Sequence, residues 1–322
     1  MGFKSGLTGK QRKQLRNIFG DRLQTDVPLA RFSVMRVGGP ADYLVVIKDA
    51  RDLERSVRFL WEEGIPHLLI GGGANMLISD AGVRKVVLLN QAKAVRLIDH
   101  PDEPPKIWAE SGASFGILSR RTAAKGWSGL EWAAGIPGTV GGAVVGNAGA
   151  HGGDVAGDLL VAEILHLDNN QVRRSSWPAE QFEYDYRYSI IKSGAVQAVV
   201  LTATFQLERS TPEEVKTKVS KISKRRQSTQ PPGPSLGSMF KNPPGDYAGR
   251  LIEEAGLKGT QQGGAQISQL HGNFFLNLGD ATAADLLALI NLARDTVAEK
   301  FNVDLELEIL LIGDWEKDSI HG

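Results

Sequence analysis

Apolar residues recur along the chain with the spacing of strands and helices. Residues 41–47 predict a strand, and Asp49 then precedes a helix in which Leu53, Val57 and Leu60 return at helical spacing. Further strands are predicted at residues 68–70, 86–89, 107–110, 163–167 and 198–205, and a further helix at residues 115–125. The pattern mixes both kinds of element and indicates an α/β organisation.

The chain changes character at Ser210. A capping box at residues 211–214, with proline at the first helical position, predicts a helix that ends near Arg226, and a Pro/Gly/Ser-rich loop follows. A second capping box at Thr282 begins a helix to about Phe301, and alternation over residues 303–311 predicts the last strand. We therefore predict an N-terminal arm or helix at residues 1–25, a larger domain at 26–209 and a C-terminal domain at 210–322.

Charge and cysteine content exclude several classes of protein. The 322 residues include 37 basic and 37 acidic side chains and no cysteine. A balanced charge provides no general field for nucleic acid or an anionic membrane, so neither partner is expected. Without cysteine there is no disulfide, thiolate nucleophile or iron–sulfur cluster. The six histidines lack metal-ligand spacing, so no metal site is predicted, and the absence of a long apolar run favours a cytoplasmic location.

Glycine is the one compositional excess. The chain has 37 glycines, nine of them between residues 135 and 157, and a second group at residues 71–73. Glycine turns let a diphosphate approach backbone N–H groups, although tight turns without a ligand explain either segment equally well. Neither G-x-G-x-x-G nor the GxxxxGK[ST] phosphate loop occurs. Two such segments together favour a dinucleotide bound outside the Rossmann scheme.

Ordered motifs then resemble one family, the UDP-N-acetylenolpyruvoylglucosamine reductases. The resemblance rests on FSVMRVGGPA at 32–41 with GGGANML at 71–77, the glycine segment at 135–152, YRYS at 186–189, GSMFKNP at 237–243 and LELEILLIG at 305–313. It implies an FAD-binding domain of the vanillyl-alcohol-oxidase type with a smaller C-terminal α+β substrate domain. It also implies non-covalently bound FAD, NADPH as the hydride donor and a monomeric protein.

The matching positions carry over as candidate site residues. The resemblance implies catalytic roles for Arg187, Ser238 and Glu308, and substrate binding by Lys241 and Asn242. It implies cofactor binding by Gly71, Gly72, Gly73, Ala74, Asn75, Met76, Gly135, Pro137, Gly141, Gly142, Gly146 and Gly149.

Each catalytic assignment has a physical rationale and a structural alternative. A guanidinium such as that of Arg187 holds a carboxylate, a hydroxyl such as that of Ser238 can supply a proton, and Glu308 can donate only when protonated. Outside the motifs, Arg187 would suit a surface ion pair and Ser238 a turn cap. Glu308 would suit the solvated face of an alternating strand.

Local departures leave these reacting groups in place. Leu310 stands where a basic residue is common in the family, and Gly272 where alanine or proline is common. Only 51 positions separate Arg187 from Ser238, which is similar to the shorter subclass without a tyrosine-bearing loop.

The expected function is reduction of UDP-N-acetyl-3-O-(1-carboxyvinyl)-glucosamine to UDP-N-acetylmuramate in peptidoglycan precursor synthesis. Two alternatives stay open at this point. One is an FAD-linked oxidase or dehydrogenase of the same superfamily with another substrate, and the other is a non-catalytic module that binds a UDP-sugar or a flavin.

Overall fold

The computed structural model describes residues 6–315, so the first five residues of the predicted arm and the last seven residues lie outside it. The helices are α1 (Gly9–Phe19), α2 (Ala50–Glu62), α3 (Phe115–Lys125), α4 (Val140–Gly146), α5 (Val155–Asp158), α6 (Pro212–Thr229), α7 (Ala248–Glu254) and α8 (Ala283–Phe301). Short 3-10 turns lie at Gly20–Arg22, Leu29–Phe32, Glu131–Ala133 and Ala179–Phe182.

The strands are β1 (Gln24–Pro28), β2 (Pro40–Ile47), β3 (His67–Ile70), β4 (Met76–Ile78), β5 (Val83–Asn90), β6 (Val95–Ile98), β7 (Lys106–Glu110), β8 (Trp127–Ser128), β9 (Gly149–Ala150), β10 (Gly153–Asp154), β11 (Leu159–Asp168), β12 (Gln171–Trp177), β13 (Ala198–Gln206), β14 (Glu208–Arg209), β15 (Gln261–Gln262), β16 (Ala265–Ile267), β17 (Phe275–Asn277) and β18 (Leu310–Ile312).

The chain forms two compact units that are interleaved in sequence. The first unit contains residues 1–45, 73–87 and 227–322, and the second contains residues 46–72 and 88–226. Compactness thus assigns residues 212–226 of α6 to the second unit and places a boundary after Arg226, within the last turn of the helix. The division of the sequence at residue 210 stays a prediction of domain organisation.

The second unit is built on a five-stranded sheet in the order β12-β11-β13-β7-β6, with antiparallel neighbours throughout. Strands β11 and β12 form a hairpin. Its turn residues Asn169 and Asn170 have φ of 48° and 62°, which asparagine tolerates better than most residues. The core includes Phe115, Phe182 and Phe205, all fully buried. This unit carries Arg187 and the long glycine segment.

The first unit packs α7 and α8 around the small sheet β15-β16-β17. The predicted capping box at Thr282 is present. The Thr282 side chain accepts from Asp285 N–H, and the Asp285 carboxylate accepts from Thr282 N–H. Strand β18 pairs in parallel with β4, so that Leu310 lies opposite Met76. This unit carries Ser238 and Glu308.

The predicted final strand at residues 303–311 is wrong over most of its length. Only Leu310–Ile312 forms a strand, and before it Leu307 makes a single bridge to Phe240. The alternation still describes burial, since Leu305 and Ile309 are buried. The backbone of this segment changes hydrogen-bonding partner from residue to residue, and it therefore cannot continue as one ladder.

The remaining helices and strands lie close to their predicted bounds. Helix α6 continues three residues beyond the predicted end at Arg226, to Thr229. The other predicted strands and helices are confirmed within a few residues at each end. No helix within residues 6–315 is both long and apolar enough to cross a membrane.

Candidate active site

The Ser238 segment is held by hydrogen bonds on both of its edges. Ser238 itself forms a bridge with Phe274, and Met239 N–H donates to the carbonyl of Asn273 at 2.9 Å. On the other edge Glu308 N–H donates to the Met239 carbonyl at 2.8 Å. Ser238 and Glu308 are thereby brought together by adjoining backbone contacts, although 70 positions separate them in sequence.

Asn273 is a site residue that the sequence reasoning missed. Its side chain is buried, accepts from Phe240 N–H at 2.9 Å and donates to the Phe240 carbonyl at 2.8 Å. A buried backbone group needs a partner, so this asparagine replaces a missing stretch of sheet. The segment HGNFFLN at residues 271–277 contains this asparagine, but only the fold shows which backbone groups its side chain contacts.

Glu308 and Glu306 have different surroundings. Glu306 is exposed, and its carboxylate pairs with Lys241. Glu308 is half-buried, and its carbonyl accepts from the side-chain amide of Asn75 at 3.1 Å. Asn75, one of the expected cofactor residues, also accepts from Leu310 N–H at 3.0 Å through its carbonyl. Burial and backbone contacts thus separate two glutamates that alternation placed on one face.

The two expected substrate-binding residues lie directly after the Ser238 segment. Lys241 N–H donates to the Glu306 carbonyl at 2.8 Å, in addition to the ion pair between the same residues. Asn242 is exposed, and its side-chain oxygen accepts from Ala248 N–H at 3.2 Å, at the start of α7. Both side chains are therefore held in place by neighbouring main chain or side chains.

Arg187 lies in a tight turn of the second unit. Its φ is 55°, in the left-handed region, and the turn is closed by a bridge between Asp185 and Tyr188. The guanidinium donates from Nη2 to the Gly149 carbonyl at 2.9 Å, and its Cζ lies 5.2 Å from the centre of the Tyr186 ring. These contacts direct the guanidinium along the hairpin β9–β10.

The C-terminal end of α4 supports this turn. The buried Ser189 hydroxyl donates to the Val145 carbonyl, and the Asn147 side chain donates to the Asp185 carbonyl at 3.0 Å. Lys192 Nζ donates to the carbonyl of Arg187 itself at 2.8 Å. The Arg187 turn and the second glycine segment are consequently one hydrogen-bonded structure. Nothing in the local sequence marks Lys192 for this contact.

The first glycine segment makes close backbone contacts. A Cβ on Gly71 would lie 2.4 Å from the Thr139 hydroxyl oxygen, and one on Gly72 would lie 3.0 Å from Gly138 Cα. Gly73 has φ of 59°, and a Cβ there would lie 2.0 Å from the Phe32 carbonyl oxygen. Glycine is required at all three positions by packing. Ala74 and Asn75 then lead into β4, which begins at Met76.

Glycines of the second segment fall into two groups. Gly141 is a packing residue, because a Cβ there would lie 2.9 Å from Ser111 Cβ, and its N–H donates to the Ser111 carbonyl. Gly142 and Gly146 lie one turn apart on α4. A Cβ on Gly142 would lie 3.7 Å from the Thr139 hydroxyl and close to nothing else, and a Cβ on Gly146 would have no atom within 4 Å. Helical glycine costs up to about 1 kcal/mol relative to alanine. Protein packing does not require glycine at these two positions.

The remaining expected cofactor residues lie at the two ends of this segment. Gly135 and Pro137 are exposed in the turn before α4, and a Cβ on Gly135 would contact the side chain of Arg226. Gly149 begins the hairpin β9–β10, where a Cβ would lie 2.8 Å from Asp154 Cβ. Among residues 6–315, no group of three or more acidic or histidine side chains is arranged to hold a metal ion.

Comparison with known proteins agrees with these motifs. A family model described as an FAD binding domain matches residues 41–165, and one described as the C-terminal domain of UDP-N-acetylenolpyruvoylglucosamine reductase matches residues 227–312. The protein named UDP-N-acetylenolpyruvoylglucosamine reductase in Chloroflexus aggregans is 43% identical over 293 residues, covering 90% of this chain and 97% of the relative. Its namesake in Rubrobacter xylanophilus is 41% identical over 289 residues, covering 90% and 95%.

A solved structure agrees as well. The crystal structure of UDP-N-acetylenolpyruvylglucosamine reductase from Thermus caldophilus has a TM-score of 0.74 and 33% identity, covering 90% of this chain and 99% of that chain. This chain belongs to the UDP-N-acetylenolpyruvoylglucosamine reductase family. The expected family, the FAD-binding α+β fold and the oxidoreductase class are confirmed, and reductases of this family use FAD with NADPH as hydride donor.

The residues of this reductase fit FAD. Gly142 and Gly146 give α4 a face without side chains, against which a flat or extended ligand can pack closely. The contact of Gly72 with Gly138 brings the two glycine segments side by side within the second unit. Gly71, Gly73, Gly141 and Gly149 shape this region through packing. The glycine excess thus includes residues that close packing requires and residues, such as Gly142 and Gly146, that the packing of the protein does not require.

The two departures from the family pattern also have structural settings. Leu310 is the first residue of β18 and is 41% exposed. A Cβ on Gly272 would lie 2.6 Å from the Gly249 carbonyl oxygen, because the turn before Asn273 packs against α7. Glycine at 272 is therefore required by a close backbone approach in this reductase. The substitution at Leu310 has no explanation in the structure.

Proposed function

We propose that this reductase converts UDP-N-acetyl-3-O-(1-carboxyvinyl)-glucosamine into UDP-N-acetylmuramate, in peptidoglycan precursor synthesis. The observation that supports the proposal most directly is the pairing of the Ser238 segment with Glu308, in which Glu308 N–H donates to the Met239 carbonyl. The backbones of Ser238 and Glu308 are thereby fixed in adjoining segments, and we infer that the hydroxyl and the carboxyl group act on one substrate, as proton transfer requires.

Arg187 is the proposed carboxylate-binding group. The enol ether of the substrate accepts hydride poorly unless its carboxylate is polarised, because reduction at the β-carbon leaves negative charge on the α-carbon and the carboxylate. A guanidinium remains charged at neutral pH and can bind a carboxylate through two N–H groups. The contact with Gly149 and the support from Lys192 fix Arg187 before substrate binds.

Ser238 and Glu308 are the proposed proton donors. Bound FAD supplies the hydride, which it receives from NADPH. The Ser238 hydroxyl then donates its proton to the α-carbon, and Glu308, on the adjoining segment, is assigned to the same substrate step, where charge develops. Glu306 is not assigned this role because its carboxylate is already paired with Lys241.

The proposal includes the supporting residues. Asn242 and Lys241 follow Ser238 on the same loop, and we assign both to substrate binding, with the Lys241 ammonium first released from Glu306. FAD is bound without a covalent link, which acid precipitation tests, because the flavin should then remain in the supernatant. The proposal also includes a cytoplasmic, monomeric enzyme.

The two half-reactions test the proposal. Stopped-flow absorbance should show loss of the oxidised flavin band on adding NADPH and its recovery on adding the enolpyruvyl substrate. Ser238→Ala should retain reduction by NADPH and slow reoxidation by substrate at least about 100-fold, the lower range for general acid catalysis. Ser220→Ala, at an exposed position of α6, is the control and should leave both rates unchanged.

Three results would contradict the proposal. Equal loss of both half-reactions in Ser238→Ala would mean that Ser238 does not act in the substrate step. Rapid oxygen consumption with a simple alcohol would favour an FAD oxidase. Tight substrate binding without turnover in the wild type would favour a binding module.

A further inference from the structure

Arg226 is a half-buried cation without a partner. It lies in the last turn of α6, and burial lowers the pKa of its guanidinium, with no carboxylate to offset that effect. Across residues 6–315 its side chain makes no hydrogen bond and no ion pair. Removing a cation from water without pairing costs several kcal/mol, so a side chain in this position calls for an anionic group.

The side chain of Arg226 lies against the second glycine segment. A Cβ on Gly135 would be 3.1 Å from Arg226 Nε and 3.4 Å from its Cδ, so the guanidinium runs along the turn that precedes α4. Gly135 also has φ of 75°, and any other residue would be strained there. Glycine at 135 is thus needed for the position of Arg226.

The charge of Arg226 also acts on His151, at the opposite end of the second glycine segment. Desolvation lowers its pKa, and the charges of Arg226 and then Arg225 lower it further. The lowered pKa disfavours a second positive charge on His151. The pocket beside His151 also contains Glu131, Asp154 and Asp158, but within residues 6–315 these carboxylates contact Lys218, Gly157 N–H and Trp132, and none of them pairs with Arg226.

The helix dipole is the competing explanation for Arg226. A basic residue in the last turn interacts favourably with the C-terminal end of a helix, typically by 0.3 to 1 kcal/mol. That interaction needs neither burial nor contact with Gly135, and exposed Arg225 on the same turn can provide it. The dipole therefore explains a cation at this helix end but does not explain why Arg226 is desolvated.

We propose that Arg226 binds the N1–C2=O edge of the flavin ring and favours the reduced, anionic form of FAD. This inference rests on the proposed function. The Gly72–Gly138 contact marks where the two glycine segments meet and suits the diphosphate. The Arg226 side chain instead lies against Gly135, and its charge acts on His151, which belongs to the turn of the hairpin whose Gly149 carbonyl accepts from Arg187. The reacting ring must lie on this side, beside the carboxylate-binding group.

The chemistry of the flavin selects the ring edge. Oxidised flavin is neutral, whereas two-electron reduction places negative charge at N1 and O2. A guanidinium at that edge stabilises the reduced form more than the oxidised form, and the desolvated setting strengthens the interaction. Arg226 therefore raises the tendency of bound FAD to accept hydride from NADPH.

The two-electron reduction potential of bound FAD tests this role without measuring turnover. Arg226→Met should reduce the preference for reduced over oxidised FAD at least about tenfold, which corresponds to a fall of about 30 mV. Binding of sulfite at flavin N5, which also leaves charge at N1, should weaken by a similar factor. Arg226→Lys should restore part of both effects, and Arg225→Met is the matched control that should change neither.

Each alternative result has a definite meaning. An unchanged potential and unchanged sulfite affinity in folded, FAD-loaded Arg226→Met would overturn the proposal. Loss of FAD from a folded Arg226→Met protein would place Arg226 at the diphosphate and overturn the ring assignment. If Arg226→Met does not fold, Arg226→Lys and Arg226→Gln replace it, and a wild-type potential in both would be decisive against the proposal. A wild-type protein that binds no FAD would instead refute the proposed function.

Discussion

The side chain of Asn273 satisfies both backbone polar groups of Phe240, two residues after Ser238. It accepts from Phe240 N–H at 2.9 Å and donates to the Phe240 carbonyl at 2.8 Å. Asn273→Ala leaves two buried groups unpaired, and we expect a loss of about 2 to 4 kcal/mol in the free energy of unfolding, measured with urea.

The same variant should separate the half-reactions. Displacement of the Ser238 segment should slow flavin reoxidation by substrate while reduction by NADPH proceeds normally. Gln262→Ala, at an exposed position of β15, is the control and should change the unfolding free energy by less than about 0.5 kcal/mol. Wild-type stability in Asn273→Ala would show that water or another side chain replaces these bonds.

Lys192 is a positioning residue for Arg187 through the 2.8 Å bond from its ammonium to the Arg187 carbonyl. Lys192→Met removes a charge-assisted hydrogen bond of about 1.5 to 3 kcal/mol and frees a turn held at positive φ. We expect KM for the enolpyruvyl substrate to rise about tenfold or more, with flavin reduction by NADPH unchanged. Steady-state and stopped-flow kinetics measure the two effects.

Two controls sharpen this prediction. Lys93→Met, at an exposed position of the same unit, should leave KM unchanged, and Lys192→Arg should recover much of the loss. A parallel fall in both half-reactions would show that Lys192 stabilises the unit as a whole instead of orienting Arg187.

Neighbouring glycines of α4 should respond oppositely to alanine. Gly142→Ala adds a Cβ that meets only the Thr139 hydroxyl at 3.7 Å, so the apoprotein should be as stable as the wild type or up to about 1 kcal/mol more stable. The affinity for FAD should nevertheless fall at least about tenfold, because the added methyl group lies on the face assigned to the cofactor. Flavin fluorescence on titration of the apoprotein measures the affinity.

Gly141→Ala is the matched comparison, since its Cβ would lie 2.9 Å from Ser111 Cβ. Crowding in a packed interior costs about 1 to 3 kcal/mol, so this apoprotein should be less stable than the wild type. Wild-type FAD affinity in Gly142→Ala would remove that face of α4 from the cofactor site.

Asp80 caps α8 from a distant part of the chain. Its two carboxylate oxygens accept from Ala283 N–H and Ala284 N–H, each at 2.9 Å. Asp80→Ala should lower the free energy of unfolding by about 1 to 2 kcal/mol through loss of the cap and of a favourable charge at the helix N-terminus. Asp80→Asn should retain part of this, and exposed Asp102→Ala should have little effect. Equal stability of all three variants would contradict the capping role.

Asp158 should make stability depend on pH. Burial raises its pKa from 3.8 to about 6, although the indole N–H of buried Trp132 donates to the carboxylate at 2.6 Å. Because the folded protein binds this proton more tightly than the unfolded chain, the stabilisation is complete below about pH 3.8 and is lost as the pH rises through about 6. Asp158→Asn removes the effect.

The measurement is the difference in unfolding free energy between Asp158→Asn and the wild type. It should move in favour of the variant between pH 4 and pH 7, by at most about 3 kcal/mol and by less after solvent screening. Asp102→Asn serves as the exposed control for general effects of pH. A difference that stays constant for Asp158→Asn across this range would refute the prediction.

Local pattern was sufficient for most elements. Helix α2 begins after Asp49, whose side chain accepts from Asp52 N–H, and α8 begins at the Thr282 capping box. The turn at Asn169 and Asn170 follows from the tolerance of asparagine for positive φ. These features depend on neighbours within four residues, so the sequence alone could predict them.

The candidate site was predicted as motifs, and its geometry was not. Arg187, Ser238 and Glu308 were named from ordered segments, yet neither the Lys192 contact nor the Asn273 contact could be inferred from them. Both contacts are hydrogen bonds from a side chain to a backbone group, which leave no periodic trace in sequence. Their partners are defined only when the chain is folded.

The sequence by itself determined that Leu305 and Ile309 of the last segment are buried, since both follow the alternating pattern. Only the tertiary structure decided what their backbone contacts. Leu307 bridges Phe240, Glu308 donates to Met239, and Leu310 donates to Asn75. Alternation records the environment of side chains, whereas each backbone N–H is satisfied by whichever distant segment folding brings beside it. For this reason the segment that alternation predicted as a strand instead supports the candidate active site through separate backbone contacts.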